Sequence, residues 1–267
     1  MTAMASTVNL EYRGPVAIIT LNNPKKLNAQ SKDGFYQVAK YLREISTRDE
    51  VNITVLTGVG RYFSAGADVS IARATPPGTD VFRHGLQHTV ANNLNITRAF
   101  YTHPKILVTA LNGPAIGLAA ALISFSDFIY SVPTAFVMTP FSSLGLVAEG
   151  GASYGFVQRM GIAKANEALI QSRMIPADQL LNVGFVNKII SPEAFLEDVF
   201  KEIDDTMGSH LVGSSMTKIK ALIRLRQRRE MDEQNVAELF GGLDRQAQGI
   251  PQEQFEKIRT GTKRHKL

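Results

Sequence analysis

Gly60-Arg61-Tyr62-Phe63-Ser64-Ala65-Gly66-Ala67-Asp68 and Asn112-Gly113-Pro114-Ala115-Ile116-Gly117-Leu118-Ala119-Ala120-Ala121 decide how this chain is read. Each follows a short apolar run with strand character, Asn52 to Leu56 in the first case and Ile106 to Leu111 in the second, and each leads into an expected helix. Glycine permits positive φ and close approach of the backbone to a ligand. A helix start leaves backbone N–H groups unpaired and pointing outward. Two such starts facing one another would hold a pair of fixed donors for a carbonyl oxygen that gains negative charge.

Two more segments belong with these. Asn23-Pro24-Lys25-Lys26-Leu27-Asn28-Ala29 follows the expected strand Val16 to Leu21, and Leu144-Gly145-Leu146-Val147-Ala148-Glu149-Gly150-Gly151 is a further small-residue turn before a helix. Taken singly, each is ordinary: small residues are common at tight turns, Asp68 reads as a helix cap, and Lys25 and Lys26 read as solvated charges. Their occurrence together, in this order, carries the argument.

Together the motifs resemble the crotonase superfamily, the enoyl-CoA hydratase/isomerase group, over about residues 8–260. The resemblance implies an α/β fold, a spiral of ββα turns with a C-terminal helical region that helps form trimers or hexamers. It implies that the N–H groups of Ala67 and Leu118 form the oxyanion hole of an acyl-CoA site. Lys25 matches a position that meets CoA phosphates. The backbone from Ala65 through Gly66 and Asp68 to Val69 receives the adenine, and Gly117 is grouped with these binding positions. No cofactor is expected beyond the CoA of the substrate.

Members of the group differ in their acids and bases. Hydratases carry two glutamates at positions that here are Ala121 and Phe141, and a site with neither does not readily activate water. Glu149, just before Gly150-Gly151, resembles the single base of fungal peroxisomal Δ3,Δ2-enoyl-CoA isomerases. That chemistry takes a proton from C2 and returns it to C4. Apolar walls are expected from Phe141, Leu144, Leu146 and Phe156. Asn92 and Asn93, on the helix before Pro104, are candidates for orienting Glu149, with Asn93 favoured. Dienoyl-CoA isomerase, enoyl-CoA hydratase and a non-catalytic acyl-CoA- or RNA-binding relative stand as alternatives. Acyl chain length is assigned to the segment from Ala72 to His88, which contains the turn Pro76-Pro77-Gly78.

The rest of the chain sets limits. Its 267 residues, 44% hydrophobic and 20% charged, suit one large domain with an appendage, divided as an acyl-CoA-binding core (1–207) and a helical region (208–267). The absence of cysteine excludes disulfides and thiolate metal sites. No apolar run is long enough for a membrane span, and no secretory signal is read at the N-terminus. His84 and His88 are four apart, but no third metal partner or Ser-His-Asp pattern accompanies them. Net charge is +5. Lys218, Lys220, Arg224, Arg226, Arg228 and Arg229 crowd one helical stretch, read as a solvated face or a rim attracting CoA phosphates. No aromatic residues interleave with them, which argues against nucleic acid. The terminal His265-Lys266-Leu267 resembles a peroxisomal address, which predicts an import receptor as partner and the peroxisomal matrix as location.

Overall fold

Strand formation begins with a hairpin. β1 (Val8–Arg13) and β2 (Val16–Leu21) pair antiparallel around Gly14, whose φ of 56° suits a turn glycine. A computed structural model describes residues 7–68 and 78–264. Val69, His265-Lys266-Leu267 and residues 72–77 of the segment assigned to chain length lie outside those residues. After the hairpin comes α1 (Lys32–Ser46), capped where the Ser31 hydroxyl accepts from the Gly34 N–H. β3 (Ile53–Gly58) is followed by α2 (Val81–Gly85), one π-helical turn at Leu86–Val90, and α3 (Ala91–Tyr101). Next are β4 (Ile106–Leu111), β5 (Ala115–Ile116), α4 (Leu118–Ile123), β6 (Phe128–Ser131) and β7 (Phe136–Met138). Then come α5 (Ala152–Leu169, interrupted at Gly161), β8 (Ile175–Pro176), α6 (Ala177–Asn182) and β9 (Lys188–Ile189). The chain finishes in helices α7 (Phe195–Met207), α8 (Gly213–Arg224), α9 (Gln227–Ala247) and α10 (Ile250–Arg259).

The main sheet has the order β1-β2-β3-β4-β6-β9 and is parallel from β2 onward. All six residues of β4 are buried, including Thr109, whose hydroxyl pairs with that of Ser126 at 2.7 Å. A second, shorter row runs beside it. Gln30 bridges to Ala67, Ser64 bridges to Ala115, and β5 pairs with β7. Each turn of chain therefore adds one strand to the main sheet and a few residues to the second row, and the chain climbs as the expected crotonase spiral. Because the strands are parallel, the loops leaving β2, β3 and β4 emerge on one side. The motifs at 23–29, 60–68 and 112–121 begin on those loops, and the fourth, 144–151, follows β7.

Helix α9 runs back to this side, where its end and α10 meet the cavity wall. The Tyr101 hydroxyl donates to Asp232 of α9. Leu243 fills the space over Gly85, where an added Cβ would stand 2.3 Å from the Leu243 Cδ1. Helix α8 inverts the arrangement expected from its charges. Lys220 is buried, pairs with Asp127 at 2.6 Å and donates to the Lys105 carbonyl at 2.7 Å. Arg224 reaches the same carboxylate at 3.4 Å. Two members of the basic cluster thus serve the interior, where each offsets the burial of Asp127. In exchange the apolar Ile219, Leu222, Ile223 and Leu225 stand 56%, 72%, 64% and 69% exposed.

Candidate active site

The second motif is wired to the first and third by backbone bonds. The Ser64 N–H donates to the Pro114 carbonyl at 3.2 Å and the Ile116 N–H to the Ser64 carbonyl at 2.9 Å. The Gln30 N–H donates to Gly66 and the Asp68 N–H to Gln30, both at 2.8 Å. That bridge uses groups on either side of Ala67 and leaves the Ala67 N–H outside the pairing. Gly66, at φ 84°, permits the tight approach: a Cβ there would lie 2.5 Å from the Ile116 carbonyl oxygen. Leu118 is the first residue of α4, so its N–H has no intrahelical acceptor. Gly117 enters that helix at φ 58° and donates its own N–H to the Met138 carbonyl at 2.8 Å. Ala67 and Leu118 line the same cavity, as does Glu149.

That cavity has a volume of about 410 Å³. Glu149 sits close to the start of α4 because Gly150, directly after it, packs on that helix. A Cβ on Gly150 would come within 2.7 Å of the Leu118 Cδ1 and 2.9 Å of the Ala121 Cβ. The Asn93 side-chain amide donates to Glu149 Oε2 at 3.0 Å. Asn92 also lines the cavity, but its amide is spent on the His88 carbonyl at 3.0 Å. The π turn at Leu86–Val90 lies immediately before these asparagines, on a helix face that lines the cavity from Val81 to Ile96. His84 and His88 lie on that face with ring centroids 4.3 Å apart. Burial, the neighbouring His88 and Lys32 push the His84 pKa down, favouring the neutral ring. Among the described residues no group of three side chains is placed to hold a metal ion.

The wall differs from expectation. Leu146 lines the cavity, whereas Phe141, Leu144 and Phe156 are buried in the core behind it. Phe156 packs edge-on against Phe185, with centroids 5.5 Å apart. The apolar lining is instead Phe35, Val81, Ile96, Leu118 and Leu146, completed by Pro251 and Phe255 of α10. Ala121 and Phe141 are fully enclosed, so no carboxylate stands at either hydratase position.

The expected CoA positions are dispersed. Lys25 is exposed in a short 3-10 turn and does not line the cavity. Its neighbour Lys26 pairs with Asp68 at 2.7 Å, tying the first motif to the second. Asp68 does line the cavity. Ala65 and Gly66 commit their N–H groups internally, to the Leu27 carbonyl at 2.9 Å and the Ser64 hydroxyl at 3.1 Å. Neither they nor Gly117 line the cavity.

Residues 11–257 match the family described as enoyl-CoA hydratase/isomerase. The chain belongs to that family. It is 53% identical to a Delta(3,5)-Delta(2,4)-dienoyl-CoA isomerase of Pyricularia oryzae, over 99% of this chain and all of that one. It is 29% identical to the 3,2-trans-enoyl-CoA isomerase of Saccharomyces cerevisiae, over 97% of this chain and 96% of the other. In fold it resembles a crystal structure of an enoyl-CoA hydratase/isomerase from Pseudoalteromonas atlantica, with a TM-score of 0.85 at 24% identity, covering 98% of this chain and all of that one.

Within this hydratase/isomerase frame, Glu238 went unnoticed in the sequence. It lies on α9, only 6% exposed, and meets the start of α5 just beyond Glu149. Its Oε2 accepts from the Gly151 N–H at 2.6 Å; its Oε1 accepts from the Ser153 N–H at 2.8 Å and from the Ser153 hydroxyl. Burial pushes its pKa up, and the bonds from Ser153 and Gly151 oppose that rise. The available signal was a lone acid inside the apolar run Val236-Ala237-Glu238-Leu239-Phe240.

Proposed function

We propose that the chain is an enoyl-CoA isomerase that moves a 3,4 double bond to the 2,3 position with Glu149 as its single base. One observation carries this: a carboxylate held by Asn93 stands against the helix start that offers the Leu118 N–H, in a cavity that Ala67 also lines. Glu149 removes a proton from C2 of the 3-enoyl thioester. The electron pair moves onto the carbonyl oxygen, and the N–H groups of Ala67 and Leu118 stabilise the resulting dienolate. The same carboxyl returns the proton to C4, and the electron pair closes the 2,3 double bond. Nothing is oxidised or lost, so no cofactor is needed. Buried Ala121 and Phe141 offer no partner for activating water, which disfavours hydration.

A second reading is supported by the 53% identical relative, named for dienoyl-CoA isomerisation. Moving a proton from C2 to C6 uses a second acid or base in addition to Glu149. The deciding experiment is turnover of trans-3-hexenoyl-CoA beside a 3,5-dienoyl-CoA by the same preparation. Conversion of the hexenoyl ester with the higher kcat/KM supports the first reading. Conversion of the diene alone replaces it with the second, and binding of both esters without turnover sinks both.

The fold also supports self-association. The row Ile219, Leu222, Ile223 and Leu225 exposes apolar surface that water does not favour, and we assign it to contact between copies in a trimer or hexamer. Replacing Leu222 and Leu225 together by Asp is expected to yield smaller particles by light scattering, with the circular dichroism spectrum unchanged. Unchanged particle mass would remove this face from assembly. The terminal His265-Lys266-Leu267 supports delivery to peroxisomes, and deleting those residues is expected to leave a fluorescent fusion in the cytosol. A fusion that stays punctate after the deletion would assign targeting elsewhere.

A further inference from the structure

Resting on the reading of Glu149 as base, we propose that Glu238 is a positioning residue, which sets the geometry of that base by gripping the turn that carries it. Glu149 occupies a segment that leads to Gly150 and Gly151, both in the left-handed region with φ of 70° and 72°. Glycines resist such distortion weakly, so something outside the turn must fix it. The start of α5 has no cap of its own, because Gly151 at its N-cap position has no side chain. Glu238 supplies the missing cap from a helix 85 residues and more away in sequence. It takes the N–H of Gly151, two residues after the base, and both donors of Ser153.

The hydrogen-bond pattern assigns its ionisation. Donors meet both carboxylate oxygens, and the Ser153 hydroxyl is directed toward Glu238 because Gln234 already donates to its oxygen at 2.8 Å. Three donors converge on the two oxygens and none of their bonds calls for a proton on Glu238, so this arrangement fits the carboxylate, which offers the most acceptor sites. The opposite side of the turn is blocked as well. A Cβ on Gly151 would lie 2.5 Å from the Phe125 ring, and Gly150 is pressed against Leu118 and Ala121. The turn is thus clamped between α4, which offers the Leu118 N–H, and the Glu238 carboxylate. Holding the first fixes where the oxyanion sits, and holding the second fixes where Glu149 stands relative to it.

The same helix carries Gln246, and the helix after it carries Pro251, Gln252 and Phe255, all on the cavity wall. Closure of the acyl cavity and placement of the base therefore depend on one docking event, that of α9 against the core. Glu238 does not itself line the cavity and acts on it only through this docking.

The test is steady-state turnover of trans-3-hexenoyl-CoA by the full chain carrying Glu238→Ala, Glu238→Gln, Glu149→Gln, or Glu149→Gln with Glu238→Ala. Displacing a reacting group by an ångström costs about a hundredfold, so Glu238→Ala is expected to lower kcat roughly 10- to 100-fold while KM stays within about threefold. Glu238→Gln, which keeps one acceptor oxygen, should recover part of that loss. With Glu149 already replaced, Glu238→Ala should alter the residual turnover by less than about threefold, because residues acting as one unit are not additive. Equal fold losses in both backgrounds, or an unchanged kcat in Glu238→Ala, would overturn the proposal while leaving Glu149 as base. Wild-type turnover by Glu149→Gln would instead overturn the underlying reading, and the positioning role with it. Should Glu238→Ala fail to fold, Glu238→Gln carries the same comparison in both backgrounds.

Discussion

Glu149→Gln is expected to lower kcat for 3-enoyl-CoA isomerisation by about 10²- to 10⁴-fold, the usual range for loss of a positioned base. KM should change little, because the amide keeps the size of the carboxylate and its bond from Asn93 can be replaced by an equivalent one. The base acts before any product forms, so the variant should also fail to exchange the C2 hydrogen of a bound acyl-CoA in deuterium oxide. Asn93→Ala is expected to show a smaller loss, roughly 10- to 100-fold, since a hydrogen bond to a charged group is worth roughly 1.5–3 kcal/mol. Exchange at C2 that continues at the wild-type rate in Glu149→Gln would place the base elsewhere. The histidines of the cavity face, His84 and His88, would then be the groups to replace next.

Gly66→Ala is the second large effect. At φ 84° an L side chain costs about 1–2 kcal/mol. The added Cβ would also stand 2.5 Å from the Ile116 carbonyl oxygen, a backbone atom that cannot swing aside. Relief requires the 64–67 segment to move away from 115–118, and that motion separates Ala67 from Leu118. The expected outcome is a loss of about 2–4 kcal/mol in urea unfolding together with a fall of roughly a hundredfold in kcat. Loss of one oxyanion donor alone costs about 10²- to 10³-fold. A variant that is destabilised yet turns over normally would show that the Ala67 N–H does not meet the reacting oxygen.

Much of this molecule was legible in its sequence. The strand from Ile106 to Leu111 follows from its largely apolar run, because local propensity and burial agree there. The paired motifs identified the family because glycine and small residues are demanded where backbones touch, as Gly66 touches Ile116. Of the two candidate asparagines, Asn93 donates to Glu149 and Asn92 to the His88 carbonyl.

Other features were settled only by the tertiary structure. A sequence shows that Phe141 and Phe156 are apolar, but the path of the backbone decides that they face the core and that Phe255 of α10 faces the cavity. Charge spacing shows a basic helix; only the position of Asp127 turns Lys220 and Arg224 inward and leaves leucines facing out. Glu238 is the clearest case, since its partners lie 85 and 87 residues away and nothing local records the pairing. Sequence by itself determined which groups can do chemistry and which backbone positions must be glycine, because those are local steric and chemical requirements. The tertiary structure decided which side chains share a cavity and which carboxylate grips the turn after Glu149, because those depend on distances between segments far apart in the chain.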